Sequence, residues 1–447
     1  MKKIISSTIL LLVFNFSFSQ YIEGKVLDVE TNKPIEGVHV YMNEIGKGTM
    51  TNDKGNYYLK FPFVKVKSAV IRFSHVGYKK IEIPYNPKKK EYSVYLRANT
   101  EVLEEVQLVE KRKLKPFLKF ETLTEMKKGV FSFASFFKDG KFYVIGGNSS
   151  YTEDRFKKLL DENHEVTLGE MIRKGVNLSS DKLNGSLQVY NLETDSWTFD
   201  KDKFRKRAHH RINVVDNQAF ILGGKRLSRT KKTEYLDDKI EIFDLVDKNV
   251  DVDDTNPHQA VDFASFVYKG NIITMGGSIK ENKLNIKQYT NKVYSFNVKS
   301  GLWYHIGNMP EPKETQGQLI GDKYYLIGGF DGRSLASIES FDLKTGRWKR
   351  EGVLFTEMAK PALTSHKDTI YIFENGKLIT YNTFSKEITE YLIEIYLSNS
   401  ELIFYNNKLY IIGGVKENVY SSFPSRRVYS IDILELNKTE INNFKTI

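Results

Sequence analysis

One strand motif, repeated along most of the chain, constrains its fold more than any other feature. KFYVIGG (Lys141–Gly147), QAFILGG (Gln218–Gly224), NIITMGG (Asn271–Gly277), KYYLIGG (Lys323–Gly329) and KLYIIGG (Lys408–Gly414) are five copies of an apolar strand ending in two glycines. A sixth, TIYIFEN (Thr369–Asn375), keeps the strand and lacks the glycine pair. Repeats settle architecture before any local motif, and about 40–50 residues per copy is the length of a four-stranded propeller blade. Each copy follows an apolar strand that ends in a turn. It precedes a third strand carrying an aromatic residue: Tyr190, Phe243, Tyr294 or Phe296, Phe341, Tyr381 and Tyr429. Three copies add a tryptophan on the fourth strand, Trp197, Trp303 and Trp348, suited to filling space between blades. Six copies predict six blades, in which the glycines let neighbouring backbone approach where a side chain would clash. The ring must close or leave strand edges bare. Two segments compete to complete the last blade, Pro116–Leu123 and the tail NKTEINNF (437–444).

These repeats resemble the kelch family, over residues 118 to 440. Ahead of them lies a shorter region of alternating runs broken by turn signals at Thr31–Lys33, Gly46–Gly48 and Asn52–Gly55, the pattern of a small β-sandwich. Its strings KVLDVETNKPIEGVHVY, TNDKGNYYL and FSHVGY resemble the carboxypeptidase-regulatory-like domain. That resemblance implies a transthyretin-like fold with a spacing or docking role and no catalysis, as found in exported proteins of the Gram-negative envelope. The all-β reading is therefore a transthyretin-like sandwich over 20–98, a linker over 99–115 and a six-bladed propeller over 116–447 with a helical insertion at 148–182. Composition agrees, with 26 Tyr and 29 Phe against 10 Pro. TNDKGNYY partly mimics a sialidase Asp-box, but the sandwich pattern accounts for it. Asp251, Asp253 and Asp254 lack the glycine and later glutamate of a calcium loop and read as an exposed turn.

Residues 1–19 have Lys2 and Lys3, an apolar run from Ile4 to Phe16 and small residues at Ser17 and Ser19, the pattern of a secretory signal peptide. The run is shorter than the ~20 residues of a spanning helix, so no membrane-spanning segment is expected. Export to the periplasm, the cell surface or the medium is the expected localisation. Cysteine is absent, so neither disulfides nor a lipidated cysteine is available. The net charge of +11 is spread along the chain. Together with export this points to an anionic glycan or an envelope protein as partner and away from nucleic acid. The lysine runs Lys88–Lys90 and Lys111–Lys113 read as a solvated turn and linker.

In an up-and-down blade the loop between strands two and three shares a face with the loop joining one blade to the next. The long insertions Asn148–Lys182, Lys225–Asp238 and Ser278–Asn291 all fall there, the first with Phe156, Leu159 and Leu160 at helical spacing, apolar side down. The joining loops carry Arg207, His209, His210, His258, Lys313, Glu314 and Lys360, candidate ligand-binding residues around the channel mouth. The competing reading is that Arg207 and His210 only tie neighbouring blades together. No cofactor is expected, and no metal: adjacent His209 and His210 point to opposite sides of a strand, and the cysteine–tyrosine radical of galactose oxidase, a kelch-bearing enzyme, has no cysteine here. The residues point to an exported binding or scaffold protein of the cell envelope. A sugar-modifying enzyme resembling N-acetylneuraminate epimerase, a mutarotase, is the alternative, with no catalytic residue assignable from sequence.

Overall fold

The computed structural model describes residues 19–62, 69–99, 114–162, 167, 169–170, 173, 177–180, 182–230, 233–281 and 287–447. The expected signal peptide, apart from Ser19, and most of the expected linker, including the run Lys111–Lys113, lie outside these. The chain divides into two compact units, Met1–Lys111 and Arg112–Ile447.

Among the described residues, the first unit is a sandwich of seven strands. One sheet runs Asn56–Pro62, Ser19–Asp28, Val94–Leu96, and the other Lys47–Met50, His39–Met42, Val70–Ser74, Ile81–Pro84. Residues of Asn56–Pro62 alternate strictly between solvent and core, so Tyr57, Leu59 and Phe61 join Ile22, Val40, Phe73 and Leu96 inside. Gly24 is required for room, since a Cβ there would stand 2.3 Å from the Tyr92 carbonyl oxygen.

The second unit is the expected propeller of six four-stranded sheets. Their inner strands are Ala134–Lys138, Arg211–Val215, Ala264–Tyr268, Gly317–Ile320, Ala362–His366 and Glu401–Tyr405. Each motif strand pairs with the inner strand on one side and the aromatic third strand on the other. The competition for the last blade is resolved by both segments pairing, in different places. Glu121–Thr122 becomes the fourth strand of blade six, beside Val428–Asp432, so the ring closes with strands from both ends of the repeat array. The tail strand Asn443–Thr446 lies outside blade five as a fifth strand on Glu387–Leu392. The tryptophans act between blades as expected: Trp348 lies on Phe341, ring centroids 4.7 Å apart, and its indole N–H donates to Asn308 O of the preceding blade at 3.1 Å.

Why the glycines come in pairs is visible in the blade-to-blade hydrogen bonds. The N–H of the second glycine donates to the loop entering the next blade: Gly147 to Arg207 O, Gly224 to Ala260 O, Gly277 to Lys313 O, Gly329 to Met358 O and Gly414 to Val130 O, at 2.7–2.9 Å. All five have φ between +84° and +120°. At Gly224 a Cβ would lie 2.6 Å from Ala208 O and 2.8 Å from the His210 Cβ, so both conformation and space demand glycine. Blade five makes the same bond through Asn375, whose N–H donates to Leu397 O at 3.0 Å. Asn375 and Gly376, with φ of +40° and +87°, form a two-residue hairpin turn and stand in for the lost pair.

Two expectations differ from the structure. The insertion of blade one forms the helix Arg155–Glu162, but none of its residues is buried: Phe156 and Leu160 are exposed and only Leu159 is half-buried, so the apolar side is not packed down as expected. Its flanking strand Tyr151–Glu153 is instead tied laterally to a hairpin of blade six, Ser421–Pro424, by strand pairing. Asp251 and Asp253 lie in Val250–Asp253, the fourth strand of blade two, rather than in a turn, because the residues after Phe243 continue the sheet.

Candidate functional site

The joining loops enter each inner strand in one register. The residue just before the insertion-facing bridge is Val130, Arg207, Ala260, Lys313, Met358 and Leu397 in blades one to six. All six are buried to 4% exposure or less, and the bridge partners (Ala208 with Lys225, Val261 with Ser278, Glu314 with Phe330) put these loops on the face of the long insertions. Arg207 and Lys313 thus occupy a core position. Arg207 is 1% exposed, its guanidinium 2.6 Å from Glu241 and 3.2 Å from Asp237, and it donates to the carbonyls of Gly223 and Lys239 at 3.2 Å. Lys313, 2% exposed, lies 2.6 Å from Glu339. These pairs stitch the loop to the third strand of its own blade, so neither cation faces the channel.

His210 follows the same logic. Its register partners are Phe133 and Phe263, whose rings pack on the first glycines Gly413 and Gly223; the His210 ring packs on Gly146 in the same way. It is buried with no well-formed hydrogen bond at either ring nitrogen, and burial, with Arg207 and Arg211 adding to it, holds its pKa well below the usual histidine value. His258 is buried between Phe263 and Tyr294 with Nε2 2.9 Å from Gly276 O, and burial pushes its pKa down to about 4. Both imidazoles are neutral core rings.

The mouth itself is built by a different register position: Ser132, His209, Asp262, Thr315, Lys360 and Asn399, polar in every blade. Backbone N–H to carbonyl bonds join them around the axis, from Ser132 to Asn399, His209 to Ser132, Asp262 to His209 and Thr315 to Asp262, at 2.8–3.2 Å. Ser132, His209, Asp262 and Asn399 adopt left-handed backbone, with φ from +47° to +61°. Of the seven candidates, His209 and Lys360 lie in this ring, and Glu314 stands just behind it.

These three meet through Asp262, which the sequence reasoning missed. His209 Nδ1 lies 2.9 Å and 3.0 Å from the two Asp262 oxygens, and Lys360 Nζ lies 2.5 Å from one of them. Glu314 is 3.7 Å from Lys360 on one side, and on the other accepts from Ser278 at 2.7 Å and Lys287 at 2.6 Å. Burial opposes ionisation of Asp262, yet His209 and Lys360 hold its carboxyl well below the usual range. Burial outweighs Asp262 at His209 and lowers its pKa, while Asp262 and Glu314 outweigh burial at Lys360 and raise its pKa. A neutral imidazole is therefore held by Nδ1–H on a carboxylate, leaving Nε2 as a proton acceptor. Such an arrangement can accept a hydrogen bond from a hydroxyl or remove a proton.

Below the mouth the inner strands begin with Ala134, Arg211, Ala264, Gly317, Ala362 and Glu401. A cavity of about 30 Å³ at the ring, lined by His209, Arg211, Asp262, Lys360 and Glu401 among others, adjoins one of about 240 Å³ among the inner strands. Arg211 donates from Nε to Phe263 O at 2.7 Å and from Nη2 to Gln316 Oε1 at 3.0 Å. Burial pushes the Glu401 carboxyl up to about 7, with Arg211 partly offsetting it. Sequence reasoning also missed Arg211, Gln316 and Glu401. For Arg211 and Glu401 the signal was present: charges at a position where the other repeats have Ala or Gly. Among the described residues no cluster of His, Asp and Glu fit for a metal ion occurs, and no helix is long and apolar enough to cross a membrane.

Comparison with known proteins divides the chain in the same way. Residues 22–108 match the carboxypeptidase-regulatory-like (CarboxypepD_reg-like) domain, and residues 175–376 match the KLHDC2/KLHL20/DRC7 Kelch-repeats domain. Human Kelch-like protein 6 is 28% identical over 128 residues, covering 27% of this chain and 19% of that protein. Beta-scruin of Limulus polyphemus is 22% identical over 212 residues, 44% of this chain and 22% of that protein. The chain thus spans about a fifth of the length of these relatives. A solved structure of YjhT superposes with a TM-score of 0.50 at 12% identity, covering 69% of this chain and 99% of that one, which speaks for the fold alone. The kelch-repeat match and the superposition agree on a propeller for the second unit.

Proposed function

For a chain that joins a carboxypeptidase-regulatory-like domain to a kelch-repeat β-propeller, we propose an exported binding protein of the cell envelope that takes its partner on the long-insertion face. The observation that carries this reading is the mouth ring. Six blades place six polar side chains there, while the neighbouring register positions are mostly given to the core. Among the described residues, blades six, one, two and three carry extra paired strands in the connections on this face, whereas blades four and five turn back in short connections. The export pattern of residues 1–19 and the net charge of +11 favour an anionic envelope glycan as the group that enters, presented free or on a protein. The test is direct binding of the chain from Gln20 onward to a panel of envelope glycans and to envelope protein extract. Lys360→Ala and His209→Ala should weaken capture at least tenfold when measured well below the melting midpoint of each variant; capture that both variants leave intact would remove the mouth from the reading.

The Asp262–His209 pair favours a second reading, a sugar-modifying enzyme of the mutarotase type, in which His209 Nε2 takes the proton of the anomeric hydroxyl as the ring C–O bond breaks and water protonates the ring oxygen. Acceleration of sugar mutarotation by the intact chain, abolished in His209→Ala, would select it. Absence of acceleration leaves the binding reading.

A further inference from the structure

Around the propeller face, most buried and half-buried cations are matched by carboxylates: Arg207 by Asp237 and Glu241, Lys313 by Glu339, Lys287 by Glu314, and Lys360 by Asp262 and Glu314, while Lys128 donates to the Asn184 side-chain oxygen. Arg211 departs from this pattern. It is half-buried at the head of the second inner strand, its Nε and Nη2 go to neutral oxygens, and no carboxylate of the described residues lies within 4.0 Å of it. Glu401 departs in the opposite sense. It heads the sixth inner strand, is half-buried, and accepts no hydrogen bond from a described side chain or backbone group. Both side chains line the same two cavities, and the other polar side chains of the larger one, among them Ser135, Ser265, Gln318 and Thr364, are hydroxyls and amides set beside apolar residues such as Ile212 and Leu363. A cation without a counter-ion in a restricted cavity is costly, and a charge that folding leaves unmatched is one that a ligand can match.

We propose that the channel behind the mouth ring binds a small hydroxylated carboxylate between Arg211 and Glu401, with Glu401 taking up a proton as the ligand enters. The ligand carboxylate faces the Arg211 guanidinium, and the hydroxyls and amides of the wall take its polar groups. Two carboxylates cannot both stay ionised beside one guanidinium, so Glu401 binds the proton and donates it in a hydrogen bond to the ligand. The surroundings already favour this, because burial brings the Glu401 carboxyl to about 7. The charged groups facing Glu401 are Arg211 from blade two and, at the ring, His209, Asp262 and Lys360. Asp262 and Lys360 compensate each other and His209 is neutral. The inner strands of the other four blades begin with Ala134, Ala264, Gly317 and Ala362 and add no charge. Below pH 7 the lumen therefore carries one net positive charge; above it Glu401 ionises and the charge vanishes. The cavity of about 240 Å³ limits the ligand to a single small molecule.

Calorimetric titration of the full chain with D-glucuronate and L-lactate, against glucose and lactamide as neutral analogues, tests this at pH 5.5 and 8.5. The carboxylates should bind at pH 5.5 and the neutral analogues should not. Affinity should fall at least tenfold at pH 8.5, and the heat measured near pH 7 in buffers of different ionisation enthalpy should report proton uptake. Glu401→Gln should bind equally at both pH values, and Arg211→Gln should lose binding. Wild-type protein that takes up no carboxylate at pH 5.5, or a Glu401→Gln chain that keeps the full pH dependence, overturns the proposal even if Arg211→Gln fails to fold. Glycan or protein capture on the outer face is a separate outcome, since it depends on Lys360 and His209 and should survive in Glu401→Gln.

Discussion

Replacing Arg207 with alanine should unfold the propeller long before it weakens a ligand. The guanidinium is 1% exposed, so its two ion pairs, at 2.6 Å to Glu241 and 3.2 Å to Asp237, are neither screened by water nor held by a side chain free to move. Truncation removes both pairs and the bonds to Gly223 O and Lys239 O. Asp237 keeps Arg205 at 2.8 Å, but Glu241 keeps only the Arg205 backbone N–H at 2.8 Å. Removing one partner of such a buried pair costs about 3–5 kcal/mol, mostly from the charge left behind. At about 2–4 °C per kcal/mol for domains somewhat smaller than this one, the melting midpoint should fall by at least about 6 °C, with little dependence on salt. All three tryptophans lie in the propeller, so tryptophan fluorescence follows its melting alone. The register supplies the control. Blade five has Met358 where Arg207 stands and Ile379 where Glu241 stands, so Arg207→Met with Glu241→Ile should recover most of the loss. A midpoint for Arg207→Ala within about 2 °C of wild type, or a double variant as unstable as the single, would refute the assignment of Arg207 to the core.

Three further outcomes follow from the same geometry. Gly224→Ala should cost more than about 3 kcal/mol, because a left-handed φ of +84° and a Cβ 2.6 Å from Ala208 O combine, whereas Asn375→Gly should stay within about 1 kcal/mol; both are read by thermal melting. Deleting residues 114–123 should broaden or abolish the cooperative melt by opening blade six, while deleting 443–447 removes only an added outer strand and should lower the midpoint by a few degrees. Glu401→Gln should stabilise the chain at pH 8 and not at pH 4. With a folded-state pKa of about 7 against an ordinary 4.5, wild-type stability is fully present below pH 4.5 and is lost as pH rises through 7. The rise from 4.5 to about 7 bounds the gain at about 3 kcal/mol, and solvent reaching the half-buried carboxyl reduces it to about 1 kcal/mol. Chemical denaturation at the two pH values measures it.

The propeller was legible in the sequence because its blade is a local unit: KFYVIGG and its copies mark each second strand, and the alternation around Tyr190, Phe341 or Tyr429 marks each third. The sandwich was legible for the same reason, through the strict alternation of NYYLKFP. The two glycines announced a close approach, though not that the second donates its N–H to the next blade, nor that Asn375 takes over this bond.

What the chain could not declare segment by segment was which polar residue faces water. Arg207, His209, His210 and Arg211 are consecutive or nearly so, yet one is in the core beside Glu241, one is in the mouth ring, one packs in a phenylalanine's place and one lines the channel. A shift of a single residue along an extended loop turns a side chain from axis to core. The register could have been read by laying the repeats side by side, since Arg207 aligns with Val130, Ala260, Met358 and Leu397. The pairing of His209 with Asp262 and Lys360 could not. These residues are 53 and more positions apart, and only the closing of six sheets about one axis brings them within hydrogen-bond distance. Local periodicity determined the strands and the number of blades, and ring closure decided the site, because proximity across an axis is a property of the whole circle and of no repeat within it.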